Sequence, residues 1–254
     1  MGTLLEAVLF SSLAGMAGTG LGGLISICLR KPGEKLPAVM MGFSGGLMMA
    51  VSCLDMIPEA VRAAGTAYAI IGILLGILAL MAAHLLPGVG SGRGNADVSQ
   101  GKGAQAAALL RTGVLISIGI ALHDLPEGMA IGAGFSLPHY GVWISMLLML
   151  HNIPEGVAMG VPLALSGVKR ARVVFYCVMA GTPSILGAII GHLVGELSKY
   201  FIGMSIGFAA GAMILVTLRD LIPQSVKLRK SMGTWLGIAA GAAAGACMVL
   251  FIPH

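Results

Sequence analysis

Eight stretches of this chain are each long and apolar enough to cross a bilayer, and no other property limits its fold so tightly. They run over roughly residues 4–29, 37–57, 67–86, 109–137, 140–165, 173–193, 201–222 and 232–252. About 30 Å of hydrocarbon takes about 20 residues of helix to cross. At that depth no water is available to the backbone, so a spanning segment must be a helix or part of a closed barrel. The runs show no period-two alternation. The expected fold class is therefore an all-α integral membrane protein with eight transmembrane helices, forming one transmembrane domain over residues 1–254.

Composition agrees. Of the 254 residues, 57% are hydrophobic and 10% charged, where a soluble domain carries about 25% charged residues. The mean hydropathy is +0.96. A water-soluble enzyme is excluded, as is a disordered chain, which needs low hydrophobicity and high net charge. The 39 glycines suit closely packed membrane helices. Cys28, Cys53, Cys177 and Cys247 lie far apart with no C-x-x-C pair, so neither a disulfide framework nor a thiolate zinc site is indicated. The first residues lack a basic region ahead of the apolar run, which reads as a first span rather than a signal peptide.

With eight spans, thirteen of the fifteen Lys and Arg residues fall on one side: Arg30, Lys31, Lys35, Arg93, Lys102, Arg111, Lys169, Arg170, Arg172, Arg219, Lys227, Arg229 and Lys230. Only Arg62 and Lys199 fall on the other. The positive-inside rule makes the first side cytoplasmic and places both termini outside the cytoplasm, in a plasma or inner membrane. It also accounts for the net charge of +5 without nucleic acid. The one substantial loop, residues 87–108, is glycine-rich and is expected to be flexible and cytoplasmic.

Two internal echoes organise the spans. Gly42-Phe43-Ser-Gly-Gly46 through Asp55-Met-Ile57-Pro58 matches Gly207-Phe208-Ala-Ala-Gly211 through Asp220-Leu-Ile222-Pro223 at a constant offset of 165 residues. Helices 2 and 7 run in opposite directions, so helices 1–3 and 6–8 are expected to form an inverted repeat around a central pair, a 3+2+3 plan. The second echo lies within that pair: His123-Asp-Leu-Pro126-Glu127-Gly128 in helix 4 and His151-Asn-Ile-Pro154-Glu155-Gly156 in helix 5.

The second echo carries the chemistry. A carboxylate at a helix centre in lipid costs roughly 2.5–3.5 kcal/mol, so Asp124, Glu127 and Glu155 together cost on the order of 8–10 kcal/mol without compensation. No Lys or Arg is near in sequence, and a divalent cation answers the charge. His123 and Glu127 share a helix face, as do His151 and Glu155. Two antiparallel helices thus present two imidazoles and two carboxylates to one point. Such a set suits zinc, iron, manganese, nickel or cobalt. Asp124 and Asn152 face an adjacent direction and are expected to hold a second ion, with Glu127 and Glu155 bridging. Pro126 and Pro154 are expected to kink their helices and free the carbonyls of Leu122 and Leu150.

Other polar residues carry weaker signals. Met48 and Met49 offer thioethers to an ion or pack as core. His84 and His192, near span ends, read as interfacial histidines, and His139 and His254 as exposed. Asp55, Glu59 and Glu196 lie at the outer rim, where cation attraction and simple helix-end solvation fit equally; Asp220 beside Arg219 reads as a local ion pair or cap. Glycines 233, 237, 241 and 245 in helix 8 suit packing within the chain and homodimerisation alike.

With its paired His-x-x-Pro-Glu-Gly motifs on spans 4 and 5, eight spans and long loop after span 3, the chain resembles the ZIP family of divalent metal transporters, near its bacterial members. The resemblance implies import of zinc, with iron, manganese or cadmium as further substrates, and neither catalysis nor a prosthetic group. It implies a two-metal centre: His123, Glu127, His151 and Glu155 on the first position, Asp124 and Asn152 on the second with both glutamates shared. Two departures stand out. Helix 4 reads His-Asp where related members read His-Asn, and Ser184 stands where they place a helix-6 glutamate. One tight and one weaker site are therefore expected. An intramembrane metalloenzyme and a selective metal channel are the alternatives; the H-E-x-x-H signature of metalloproteases is missing.

Overall fold

The computed structural model describes residues 3–29, 35–83, 102–137 and 139–250. Every regular element among them is helical. Eight helices follow in chain order: α1 (Leu4–Cys28), α2 (Lys35–Ala64), α3 (Thr66–Ala83), α4 (Lys102–Gly134), α5 (Tyr140–Leu165), α6 (Arg170–Leu197), α7 (Lys199–Leu228) and α8 (Met232–Leu250). Seven of them, all but α3, are long and apolar enough to cross a membrane, and the apolar stretch of α3, Thr66–Ala82, is shorter. Arg30, Lys31, His84, Arg93 and His254, and the first part of the expected 87–108 loop, lie outside the described residues.

Three boundaries differ from expectation, each for a physical reason. Helices α2 and α7 do not stop at Ile57 and Ile222 but run on past Pro58 and Pro223. In each, a π-helical turn precedes the proline, Ser52–Met56 in α2 and Thr217–Leu221 in α7. Such a turn shifts the hydrogen-bond register, so a residue without an N–H continues the helix with no break. Residues 102–108 are not loop but the start of α4; their alanine run favours helix. Helices α4 and α5 run on through Pro126 and Pro154, which lie inside them.

Packing is by backbone contact at glycine. A β-carbon on Gly46 of α2 would fall on the carbonyl oxygen of Ile238 in α8, and one on Gly241 of α8 on that of Phe43. The same two contacts recur between α7 and α3, Gly211 on the Ile73 carbonyl and Gly76 on that of Phe208, every partner 165 positions from its counterpart. A second matched set joins the central helices to α1 and α6. Gly128 and Gly187 seat α4 on α6 against the carbonyls of Ser184 and Leu125, and Gly156 and Gly22 seat α5 on α1 against those of Thr19 and Ile153. Side chains larger than hydrogen at these positions would force the helices apart. The helix-8 glycines are thus used inside the chain, with Gly237 and Gly245 also against α2 at Val39 and Leu47.

Burial follows from this arrangement. Outward faces carry leucines and isoleucines at helical spacing: Leu5, Leu9 and Leu13 on α1, Ile70, Leu74 and Leu78 on α3, and Leu186, Ile190 and Leu193 on α6 are all exposed. Exposed apolar rows on several helices around a polar interior suit a lipid surround. The interior holds Met41, Leu47, Met48, Ile120, Ile131, Leu147, Leu148, Met159 and Ile206, wrapped around a polar centre on α4 and α5.

Candidate metal site

The centre is built by two antiparallel-echo segments on continuous helices. On α4, His123 and Glu127 stand one turn apart; on α5, His151 and Glu155 do the same. The helices sit so that each histidine faces the glutamate of the other helix. His123 Nε2 lies 2.8 Å from Glu155 Oε2, and His151 Nε2 lies 3.0 Å from Glu127 Oε1. The single focus expected for four ligands is therefore realised as two crosswise pairs. His123, Asp124, Asn152, Glu127, His151 and Glu155 are all at most 1% exposed. Buried ionisable groups without a lysine or arginine partner are expensive, so each imidazole–carboxylate pair is the protein's own partial answer to its charge.

Asp124 has no such answer. Neither of its carboxylate oxygens has a hydrogen-bond partner, and the nearest basic group is His123 Nε2, 3.8 Å from Oδ1. His123 Nδ1 is also without a partner. One ligand atom from each of His123, Asp124 and Glu155 lies within 4.8 Å of the other two, a spacing that accommodates one metal ion. A nitrogen with two carboxylates suits zinc or another first-row divalent. The donorless oxygens of Asp124 fit a cation better than any protein group in reach.

Asn152, expected to hold a second ion with Asp124, also ties α5 to α1. Its amide nitrogen donates to the carbonyl of Ala14 at 3.0 Å, in the π-helical turn Leu13–Ala17 of α1. Its Oδ1 has no partner and is the one atom it offers the site. Ser184 does not stand in for an acid. Its hydroxyl donates to the Gly181 carbonyl at 2.8 Å, with the Ser11 carbonyl also near at 3.2 Å, and its own carbonyl accepts from Ser11 Oγ. This knits α1 to α6 where α6 is interrupted at Gly181–Thr182.

The chain matches the family described as ZIP zinc transporter over residues 88–252. It is 32% identical to the zinc transporter ZupT of Corynebacterium efficiens, over 94% of each chain. It is 33% identical to that of Corynebacterium glutamicum, over 94% of this chain and 96% of the relative. With ZupT of Clostridium perfringens it shares 30% over 95% of this chain and 94% of the relative. The protein belongs to the ZIP family. ZIP proteins are membrane transporters of divalent metal, not enzymes, so the metalloenzyme alternative falls.

Several peripheral residues of this ZIP protein lie elsewhere than the sequence suggests. Asp55 is not a solvated helix end: it is 2% exposed, in the π-helical turn of α2, and accepts the Tyr140 hydroxyl of α5 at 3.0 Å. The longer α2 carries it inside the bundle. His192 is not interfacial but buried, with Nε2 3.4 Å from Glu196 on the next turn. Glu59 pairs with Arg62 at 3.3 Å, and His139 is exposed as expected. Met48 is buried, and the Met49 sulfur lies 3.8 Å from Cys53 Sγ. Sequence reasoning missed Ser44. Its hydroxyl donates to Glu155 Oε1 at 2.7 Å.

Proposed function

We propose that this ZIP protein imports divalent transition-metal ions into the cytoplasm, zinc foremost with iron, manganese and cadmium as further substrates, through His123, Asp124, Glu127, His151, Asn152 and Glu155. The observation that carries the reading is the buried cluster of His123, Asp124 and Glu155, in which both Asp124 oxygens lack any donor. The second imidazole–carboxylate pair, His151 with Glu127, supplies the next ligands along the same interface. Ser184 brings no charge to it, which favours one tight position over two equal ones.

All eight helices span the membrane in this reading, with α3 as the third span. The exposed apolar face of α3 and its glycine seating on α7 support this. The matched contacts 165 residues apart support an inverted repeat of α1–α3 and α6–α8 about the α4–α5 pair. Both termini lie outside the cytoplasm, from the charge split. Alternating access follows from relative motion between packed groups of helices. Because α1 and α6 are seated on α5 and α4 at glycine, they travel with the central pair, and the sliding surface is the one facing α2 and α7.

Uptake of zinc into proteoliposomes holding the purified protein tests this, with Glu155→Ala and His151→Ala as controls. Saturable uptake by the native protein, abolished in both variants at equal membrane content, is the expected result. Native-like rates in either variant would defeat the assignment. Flux that never saturates with metal concentration would point to a channel.

A further inference from the structure

We propose that Ser44 is a positioning residue of the metal site, and that it holds Glu155 in a one-oxygen binding geometry across the boundary between α2 and α5. This rests on the metal-site reading above. The Ser44 hydroxyl donates to Glu155 Oε1 at 2.7 Å while the other carboxylate oxygen, Oε2, faces His123 at 2.8 Å. One oxygen is thereby taken by α2 and one is left for the site. Ser44 is fully buried, so water does not compete for the bond. A hydroxyl–carboxylate bond in such surroundings fixes the plane of the carboxylate as well as its position.

The other half of the site lacks the device. The residue 165 positions on from Ser44 is Ala209 of α7, also fully buried. Glu127 therefore has its histidine and no hydroxyl from that position. The comparison shows that a methyl side chain is accommodated at the matching place in the fold, so Ser44 is not needed there for packing. The bond also joins two differently packed units: α2 is seated on α8, and α5 on α1. A second bond, Tyr140 to Asp55, links α2 and α5 nearer the start of α5.

The test compares zinc uptake kinetics of Ser44→Ala and Ser44→Cys in proteoliposomes with Ser52→Ala as control. Ser52 is buried on the same helix with its hydroxyl bonded to nothing, so it reports general disturbance of α2. Loss of the Ser44 hydroxyl is expected to raise KM for zinc about tenfold, the effect of one charge-assisted hydrogen bond, with kcat within about twofold because the ligands themselves remain. Ser52→Ala is expected to leave KM unchanged. Ser44→Cys, whose thiol is a weaker donor, is expected to raise KM by a smaller factor and serves should the alanine variant not insert. A KM unchanged in the variants, or a fall in kcat alone, overturns the proposal. Glu155→Ala separates the two ideas: if it is inactive while the Ser44 variants keep the native KM, the metal site stands and the positioning role falls. If Glu155→Ala transports normally, the site assignment itself falls.

Discussion

The two halves of the proposed metal centre share a frame and differ most in chemistry at the residue after the histidine. On α5 the residue after the histidine is Asn152, whose amide donates to the Ala14 carbonyl in α1. On α4 it is Asp124, neither of whose carboxyl oxygens has a hydrogen-bond partner. The carbonyl 165 residues on from Ala14 is that of Met179, and it accepts from the Thr182 hydroxyl at 2.8 Å instead. Each half thus satisfies its neighbouring helix, but by different means. The α5 half uses the site residue itself as a strut. The α4 half leaves the site residue with two buried acceptors and nothing to fill them. A single exchange of nitrogen for oxygen separates a side chain tied to its neighbouring helix from one with both oxygens unpartnered.

The comparison breaks most sharply at the glutamates, which the two halves share in kind. Glu127→Ala and Glu155→Ala each remove one acid from a crosswise pair and leave a buried histidine alone. Zinc uptake in proteoliposomes is expected to fall to the protein-free background in both. If one variant kept substantial flux, the halves would not be partners in a single path.

The next effect isolates the difference itself. Asp124→Asn makes the α4 half a copy of the α5 half without changing its size. Removing the negative charge is expected to weaken zinc binding by roughly 10–100-fold, the range seen when a group tuning a metal site is lost. Calorimetric titration of the purified protein with zinc measures it directly. An unchanged affinity would mean that the ion avoids Asp124. Acid should act in the same direction on the native protein, because protons compete for the same imidazole and carboxylate groups. The same titration repeated at lower pH should therefore give weaker binding.

Much of this was legible in the sequence. The all-helical membrane fold, the two echoes and the gathering of the polar residues on α4 and α5 follow from run length, offset and the energetics of charge in lipid. What the sequence did not reveal was which histidine faces which glutamate. His123 and Glu127 share a face, and spacing alone favours their convergence, yet each histidine turns to the other helix because the α4–α5 contact sets the distances. Helix ends were misplaced at Pro58 and Pro223 because a proline reads as a stop unless a π-helical turn precedes it, and such turns have no residue signature. Asp55 was misplaced with them. Ser44 was invisible because a hydroxyl among glycines is common in membrane helices, and only the position of α5 gives it a partner.

The smallest effect tests whether Asn152 is a strut or a ligand. Asn152→Ala removes the donor to the Ala14 carbonyl and leaves that acceptor buried. A lost hydrogen bond of this kind is worth about 1 kcal/mol, which corresponds to a fall in melting temperature of roughly 2–4 °C for a chain of this size. If the strut role dominates, melting in detergent shows that fall while the zinc dissociation constant stays within about threefold, well short of the 10–100-fold expected of a tuning group. If the Oδ1 atom binds metal, the order reverses: affinity drops as far as in Asp124→Asn and the melting temperature of the metal-free protein barely moves. The two readouts separate because a strut acts with or without the ion, whereas a ligand contributes only when the ion is bound. An outcome of the second kind would restore symmetry to the two halves and remove the reason for regarding Asp124 as the distinctive residue of the site.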